Sequence, residues 1–519
     1  MRSFVEIWRS YTHEERRNIA FYVGGIMFYK LGLEFFNGSI TTLATDRFAK
    51  ANTFTKLGAA QGVNQAAQCV GAILIAPLIV RFPTRTVLGV SVLFFSLMTM
   101  ILLVVDAATG GKMRESANSP THYGSWNPNA IFIIWTLSGV AYGMVELIRR
   151  VIPCDIVGGN VGKLRRMDAT VHIFYEVTGT AAAFASSSAI SRFGNNYSFF
   201  LSPVFFALAG AVWFFVSVLN YSPCEEYGLD EVDRSKRSKN YLIQVGRGIS
   251  GFGESIWVGT MMVLGNRRFV WLVPGYALAL YLHRFLENTL APAFAKRALG
   301  VSAWSQIIVG GSNFGELLGA LTVFLLSDVV TTPIPWLRLD ALMLNIVWVL
   351  PHLTTITGHT VDWAWRLAGI FIPISMSWAA GDVSLSAYIQ AALSTGDASL
   401  ADRYPGVSHL GAVMAFLYST YIILYAVLSS VLGDVIDKDF SETGNIKDSL
   451  RWVAGIQYSI CCCIIMIATF IPKGAFSINP KMINGVRHDG FGHQEDESLK
   501  DFIEMQTGKN DGSLNVITT

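Results

Sequence analysis

Charge is what this chain has least of. Of its 519 residues only 15% are Asp, Glu, Lys or Arg, where soluble proteins carry roughly 25%. With 52% hydrophobic residues and a mean hydropathy of +0.43, a fold in water would leave too much apolar surface exposed, so the solvent for most of the chain is lipid. The net charge is only +2, which excludes a nucleic-acid-binding surface built to neutralise phosphates. Cysteines are few: Cys69, Cys154, Cys224 and the run Cys461, Cys462, Cys463. None has the paired spacing of a zinc site or a secreted disulfide framework. No G-x-x-x-x-G-K-[ST] loop occurs, so ATP is not expected to drive the protein directly. No nucleophile–base or metal-ligand spacing points to an enzyme, and no cofactor is expected. Residues 1–18 are polar and lack a small-residue cleavage site, so no cleaved signal peptide is expected.

Long apolar runs are plentiful. A spanning helix needs roughly 20 mostly apolar residues, and twelve such windows follow one another: 19–43, 57–80, 86–105, 130–148, 171–190, 198–219, 269–292, 303–326, 341–357, 367–393, 409–433 and 452–471. The ninth is the weakest, being short and carrying Pro351 and His352. Segments on the N-terminal side of the bilayer hold 25 Lys and Arg and the opposite loops hold 12, with Lys30 and Arg284 inside spans. That bias places both termini in the cytoplasm.

The longest break divides the spans six and six. It predicts a cytoplasmic segment 1–18, a bundle 19–219, a cytoplasmic middle loop 220–268, a second bundle 269–471 and a disordered cytoplasmic tail 472–519. The middle loop opens with the charge-dense CEEYGLDEVDRSKRSK (224–239), and its second half (241–266) suits a helix lying in the membrane interface. The tail is polar enough to stay unfolded.

An internal echo accompanies the split. TLATDRFAK (42–50) matches TLAPAFAK (289–296) at the end of the first span of each half. Gly71-Ala72-Ile73 matches Gly319-Ala320-Leu321 at nearly the same offset. A constant offset favours two related halves in parallel orientation.

These residues resemble the major facilitator superfamily, and in particular fungal members of unassigned substrate. The resemblance covers 19–471: twelve spans, a long middle loop and a basic turn between spans two and three. That turn, APLIVRFPTR (76–85), is similar to the family's G-x-L-x-D-R-x-G-R-R signature. It keeps Arg81 and Arg85 but has Val80 in place of the Asp and Pro83 in place of a Gly, so the cytoplasmic gating contact implied by the family must differ here. The fourth-span Arg tied to proton coupling in the family is missing from WTLSGVAYGMVEL (135–147), and YEVTGTAAAF (175–184) lacks the Gly-Pro of the proton-antiporter signature. The resemblance therefore implies the all-α fold of two pseudo-symmetric six-helix bundles, without supporting a drug:proton antiporter.

Ionisable groups inside spans are costly and mark functional routes. Lys30 and Glu34 stand four apart in span one and can pair along one face. His283, Arg284 and Glu287 cluster in span seven, which the resemblance places opposite span one on the central cavity. Glu316 lies mid-span beside Asn313, off the stripe of Gly311, Gly315 and Gly319 that lets another helix approach closely. Gly139 and Gly143 repeat that stripe in span four. Asp382, Ser386 and Gln390 form a polar face in span ten. Near the cytoplasmic surface, Glu146 precedes Arg149 and Arg150, and His172 precedes Glu176; a gate or interfacial salt bridge is expected there. Asp434 and Asp437 close span eleven in what reads as a solvated loop. Asn196-Tyr-Ser198 is a glycosylation sequon too close to the membrane to be used.

The expected function is secondary transport of a small organic solute by alternating access, coupled to protons. Lys30, Glu34, His283, Arg284, Glu287, Glu316 and Asp382 are the expected substrate and coupling residues; Arg81, Arg85, Glu146, Arg149 and Arg150 are the expected cytoplasmic gate. A divalent metal-ion carrier, using Glu34, His283, Glu287, Glu316 and Asp382 as ligands, is the alternative. A non-transporting sensor or scaffold, docking partners on its loop and tail, is the reading from another class. The expected partners are lipid, an unidentified solute and protons, with no nucleic acid. A monomer in the plasma membrane is expected.

Overall fold

The computed structural model describes residues 11–116, 119–157, 161–217, 241–326, 329–355, 360–394, 409–483 and 486–487. Helices account for nearly all of it. Helix α1 (His13–Arg47) begins with a reciprocal cap: the Thr12 hydroxyl accepts from the Glu15 amide and the Glu15 carboxylate accepts from the Thr12 amide, satisfying two amides that the first turn would leave unbonded. Next come α2 (Thr53–Arg81), α3 (Thr84–Ala108), α4 (Ala130–Val157), α5 (Val161–Phe193) and α6 (Leu201–Trp213). Pro83 sits just ahead of α3 and Gly194, at φ +85°, just past α5, where a fixed φ and a left-handed turn are respectively needed. Helix α7 (Tyr241–Leu264) lies between the halves in sequence. The second half is α8 (273–297), α9 (Ser305–Leu326), α10 (Ile334–Leu353), α11 (Val361–Ser394), α12 (His409–Thr443) and α13 (Lys447–Ala468).

Among the described residues, nine helices are long and apolar enough to cross a membrane: α1 to α4 and α9 to α13. The other three spans of the twelve fall short for visible reasons. Helix α5 carries His172, Glu176, two threonines and three serines within its apolar stretch, and α6 is short. Helix α8 is broken into alternating α and π turns around Pro274 and Pro292. The fold is an all-α, polytopic membrane fold.

The two halves repeat one packing scheme. Helix α2 lies against α4 so closely that a Cβ on Gly71, Gly139 or Gly143 would fall on the backbone of Val140, Asn64 or Gln68. In the second half α9 lies against α11 in the same way, with Gly311, Gly315 and Gly319 facing the carbonyls of Ala368, Ile372 and Met376. Gly71 and Gly319, matched in the sequence echo, thus sit at equivalent crossings. Between the halves, α2 packs on α12 and α5 on α9, and a two-fold that exchanges the halves exchanges these two contacts. The α2–α12 crossing is another glycine contact, unread in the sequence: Gly58 and Gly62 face Ser429 and Ala426, and Gly433 faces Phe54.

Several expected boundaries move. Residues 13–18, expected in a cytoplasmic segment, are the first turns of α1. The ninth span runs over Ile334–Leu353 rather than 341–357. Arg338 and Asp340 made its start look too polar, but each is satisfied: Arg338 donates to the carbonyls of Ser477 and Ala475 and to Thr469, and Asp340 is wholly buried against His283. Those Arg338 bonds also order the start of the tail, expected to be disordered from 472. Residues 472–483 fold back on the turn before α10, where Thr332 donates to the Pro480 carbonyl and Asn479 to that of Val329. The tail from 488 and the charge-dense run 224–239 lie outside the described residues.

In the expected middle loop, α7 bridges elements of both halves. The Tyr241 hydroxyl donates to the Leu74 carbonyl in α2, and Gly259 rests on the Ala412 carbonyl at the start of α12.

Candidate functional site

A cavity of about 500 Å³ lies between the halves, lined by α1, α2, α4 and α5 on one side and α8, α9, α11 and α12 on the other. Its wall is mainly polar. Lys30, Glu34, Arg284, Glu287, Glu316 and Asp382 all line it, as do Glu146, Arg149, His172 and Glu176. A row of amides on α2, Gln61, Asn64, Gln65 and Gln68, covers a further face.

Each lysine and arginine in the wall is engaged by a carboxylate on its own helix, whereas His172 Nε2 is buried without a hydrogen-bond partner. Lys30 Nζ is 2.6 Å from Glu34, and Arg149 reaches Glu146 at 2.6 Å. Arg284 lies 3.0 Å from Glu287, its side chain 42% exposed to the cavity against 8% for the carboxylate. Lys30 also lies over the Tyr175 ring at 4.3 Å, and Arg149 over the same ring at 4.7 Å, a contact that the negative ring face favours. Lys30 reaches this position because α5 has Gly179 there: any Cβ would overlap the lysine stem.

Glu287 is the most connected carboxylate. Besides Arg284 it accepts a 2.5 Å bond from Ser312 on α9, whose hydroxyl is 2.6 Å from that of Ser375 on α11. A change of charge on Glu287 is therefore felt on α8, α9 and α11 together.

The end of the cavity where α1 finishes is closed. Asp46 on α1 receives Lys296 of α8 at 2.5 Å, Asn195 at 2.8 Å and the Ser302 hydroxyl at 2.9 Å. Arg297 donates to the Lys50 carbonyl at 2.9 Å and to Thr53, and lies 3.5 Å from Asp437. Asp437 is buried and accepts from the amides of Phe54 and Thr55 at the start of α2, so the expected solvated loop is instead a cap that joins α12 to α2. Asp434 alone fits that expectation, in an exposed pair with Lys438. Beyond the closure, the buried Asp106 gathers the loop after α3 by accepting from Gly124, Trp126 and Asn196. Asn196, the sequon residue, is 1% exposed. In that loop burial, helped by the Asp46 carboxylate, pushes the Tyr123 phenol up from its ordinary range.

At the opposite end Glu146, Arg149 and His172 face the cavity. Tyr29 donates to Glu146 and Tyr22 to the Arg149 carbonyl, all within the first half. Arg85 also stays within that half, donating to the carbonyls of Phe214 and Val216 at the end of α6; this is a helix cap and not a contact between halves. Arg81 is exposed. The side chains of Arg150, Ser386 and Gln390 lie outside the described residues.

His283 parts from its expected cluster. It points away from the cavity, into the second half, where Nε2 is 2.9 Å from Asp340 and the ring stacks on Trp378 at 4.8 Å. Ser377 donates to the same Asp340 oxygen. Helical spacing alone explains the error: residues 283 and 284 are neighbours in sequence but point about 100° apart. Among the described residues no three of His, Cys, Asp and Glu converge to hold a metal ion, so the ligand set of the metal-carrier alternative is not assembled.

The sequence reading missed Asp340, Ser312, Ser375, Gly179 and the whole closure around Asp46, Lys296 and Arg297. One signal was available. The echoed segments 42–50 and 289–296 contain Asp46 and Lys296, opposite charges near the ends of the first span of each half.

No family model matches the chain and no curated protein matches it. Solved structures do. The nucleoside transporter NupG matches with a TM-score of 0.56 at 14% identity, over 88% of this chain and 99% of that one. A D-xylose-proton symporter matches with a TM-score of 0.56 at 12% identity, over 88% and 96%. A variant of the peptide transporter POT, in complex with alafosfalin, matches with a TM-score of 0.54 at 12% identity, over 86% and 93%. These neighbours are transporters of the major facilitator type, and the likeness shows that this chain has their fold.

Proposed function

We propose that the chain is a secondary active transporter of the major facilitator type, of the kind found in fungi, which moves a small organic solute by alternating access and couples its movement to protons. The observation that carries this reading is the polar cavity between two pseudo-symmetric halves, closed at one end by the ion pairs of Asp46 with Lys296 and Arg297 with Asp437. Rocking the halves breaks those ties and opens that end, as alternating access requires. With the termini in the cytoplasm, as the Lys and Arg bias indicates, the closed end is the outer one and the present state faces inward. The solved neighbours carry a nucleoside, a sugar and a peptide by their names, and one of them is a proton symporter, which agrees with a small organic cargo.

Glu287 is the proton site in this reading. Ionised, it holds Arg284 and accepts from Ser312; protonated, it releases the guanidinium into the cavity and loosens α8 from α9. Lys30 with Glu34, Glu316 and Asp382 surround the solute, and Glu146 with Arg149 forms the inner gate. The protein is placed in the plasma membrane as a monomer.

The test is uptake of a mixed metabolite panel into proteoliposomes with and without an imposed proton gradient, for the wild type and Glu287→Gln. Gradient-driven accumulation of one solute by the wild type, reduced in the variant to passive equilibration, is expected. Wild-type flux of that solute unchanged by the gradient would overturn the proton coupling, and folded protein that moves no solute would overturn the transport reading.

A further inference from the structure

The wall of the cavity is short of positive charge. Among the described residues that line it are six carboxylates but only three permanently charged bases, and each base already lies against a carboxylate of its own helix. No lysine or arginine of the wall is left over for an anionic solute, and the one lining histidine, His172, stands on the same helix as Glu176, four residues before it. Glu176 and Glu316 form no ion pair among the described residues, and Glu176 Oε2 is buried without a hydrogen-bond partner in a residue only 4% exposed. Beside them Asn313, 6% exposed, has a buried amide nitrogen that also lacks a partner. An unbonded buried oxygen and amide are costly, and here both belong to side chains of the cavity wall.

Their positions sharpen the point. Glu176 belongs to α5 and Glu316 to α9, the two helices that pack across the divide, so the two halves contribute one acid each. The charged groups that act on Glu316 are Glu176, Glu287, Arg284 and Lys30, of which the last three are already committed to partners. Two carboxylates brought together in a low dielectric can both ionise only when a counter-charge lies between them. The opposite wall is suited to the same ligand: Tyr276, Trp378 and Tyr418 form a continuous aromatic surface, with ring centroids 6.3 and 5.9 Å apart, backed by His283. Aromatic faces bind organic cations.

Building on the transport reading above, we infer that the solute is an organic cation, whose ammonium or guanidinium group sits between Glu176 and Glu316 while its carbon skeleton lies against Tyr276, Trp378 and Tyr418. The site is thereby split between the halves. A bound cation ties Glu176 to Glu316 across the divide, and an empty site leaves the two acids without that tie. The Asn313 nitrogen donates to any hydroxyl or carbonyl that the solute carries.

The experiment is a thermal-shift and competition series on the full chain in detergent, which needs no proton gradient and so can fail separately from the coupling test. The probes are size-matched: putrescine, agmatine and tetraethylammonium as cations, glucose and uridine as neutral solutes, and succinate as an anion. The cations are expected to raise the wild-type melting temperature in a saturable way while the neutral and anionic probes do not, and Glu176→Gln and Glu316→Gln are expected to weaken cation binding at least about tenfold, with Glu176→Asp restoring part of it. If the Gln variants do not fold, the wild-type series decides by itself. Stabilisation by glucose, uridine or succinate in preference to the cations, or no response to any cation at millimolar concentration, would overturn the inference; so would cation binding that both Gln variants leave unchanged.

Discussion

The carboxylate of Asp46 and the ammonium of Lys296 lie 2.5 Å apart, one on each half of the molecule, and the segments that follow α5 and precede α9 join them through Asn195 and Ser302, which both donate to Asp46. Both side chains are partly buried, at 19% and 31% exposure, so solvent does not screen the pair fully. In the proposed transport cycle the contact exists only while this end of the cavity is closed, which makes it a direct handle on the balance between states. Hydrogen bonds to charged groups contribute about 1.5–3 kcal/mol each, and about 1.4 kcal/mol is a tenfold change in population. Asp46→Asn is therefore expected to shift the equilibrium roughly tenfold or more towards opening at this end. A cysteine placed at Asn37, in the cavity wall, should be labelled correspondingly faster by a membrane-impermeant thiol reagent added from the side of the closed end. Labelling as slow as in the same background without Asp46→Asn would show that the pair does not hold the end shut. The reversed pair, Asp46→Lys with Lys296→Asp, should restore much of the protection.

The glycine stripe on α9 makes a sharper stability prediction because it has an internal control. A Cβ on Gly315 would strike the Ile372 carbonyl, and backbone cannot step aside as a flexible side chain does; a Cβ on Gly369, in the opposing helix α11, meets nothing within 4 Å. Overpacking costs about 1–3 kcal/mol, and a helical Gly→Ala change at an open position gains up to about 1 kcal/mol. Gly315→Ala should therefore lower the melting temperature of the purified protein, and Gly369→Ala should leave it unchanged or raise it. Equal effects at the two positions would show that α11 does not press its Ile372 carbonyl against Gly315.

What could be read from the sequence was what has a period or a cost. Twelve apolar runs appear because lipid penalises polar residues over a fixed length, and Gly311, Gly315 and Gly319 stood out because a stripe of missing side chains has a four-residue repeat. Lys30 with Glu34, and Arg284 with Glu287, could be paired because helical spacing puts them within reach on one face. The partners of His283 could not, since Asp340 lies 57 residues away and its own charge hid it by pushing the expected start of the ninth span past it. Gly179 was invisible for another reason: its use is the space it leaves to a lysine from a different helix. The closure at Asp46 is likewise a property of two halves docked together, of which the sequence offers only the echo.

Gly179 should be tolerated by the fold and not by the function. The atom that a new Cβ would strike is Lys30 Cε, the far part of a flexible stem, so the fold can yield where the Gly315 carbonyl contact cannot. Gly179→Ala is expected to move Lys30 off Glu34 and the Tyr175 ring while changing the melting temperature by only a few degrees. Solute flux should fall on the order of tenfold, the effect of about 1.4 kcal/mol in positioning. A variant that loses stability and flux in proportion would place Gly179 among the packing glycines instead.

The pair of His283 and Asp340 should behave as a unit of structure. Asp340 is fully buried, shares one oxygen between His283 and Ser377, and leaves its other oxygen without a partner. Removing one member of such a pair strands the other, which costs about 3–5 kcal/mol, whereas removing both can be close to neutral. His283→Leu and Asp340→Leu are thus each expected to lower the melting temperature markedly, and the double variant to lower it by less than the sum of the two. The cycle has a second readout, because the His283 ring backs Trp378 in the cavity wall: losing the imidazole should alter the indole fluorescence and its quenching by solutes even where stability is recovered. Additive losses, with the fluorescence of Trp378 unchanged, would show that the histidine and the aspartate are not coupled and that the aromatic wall stands without them.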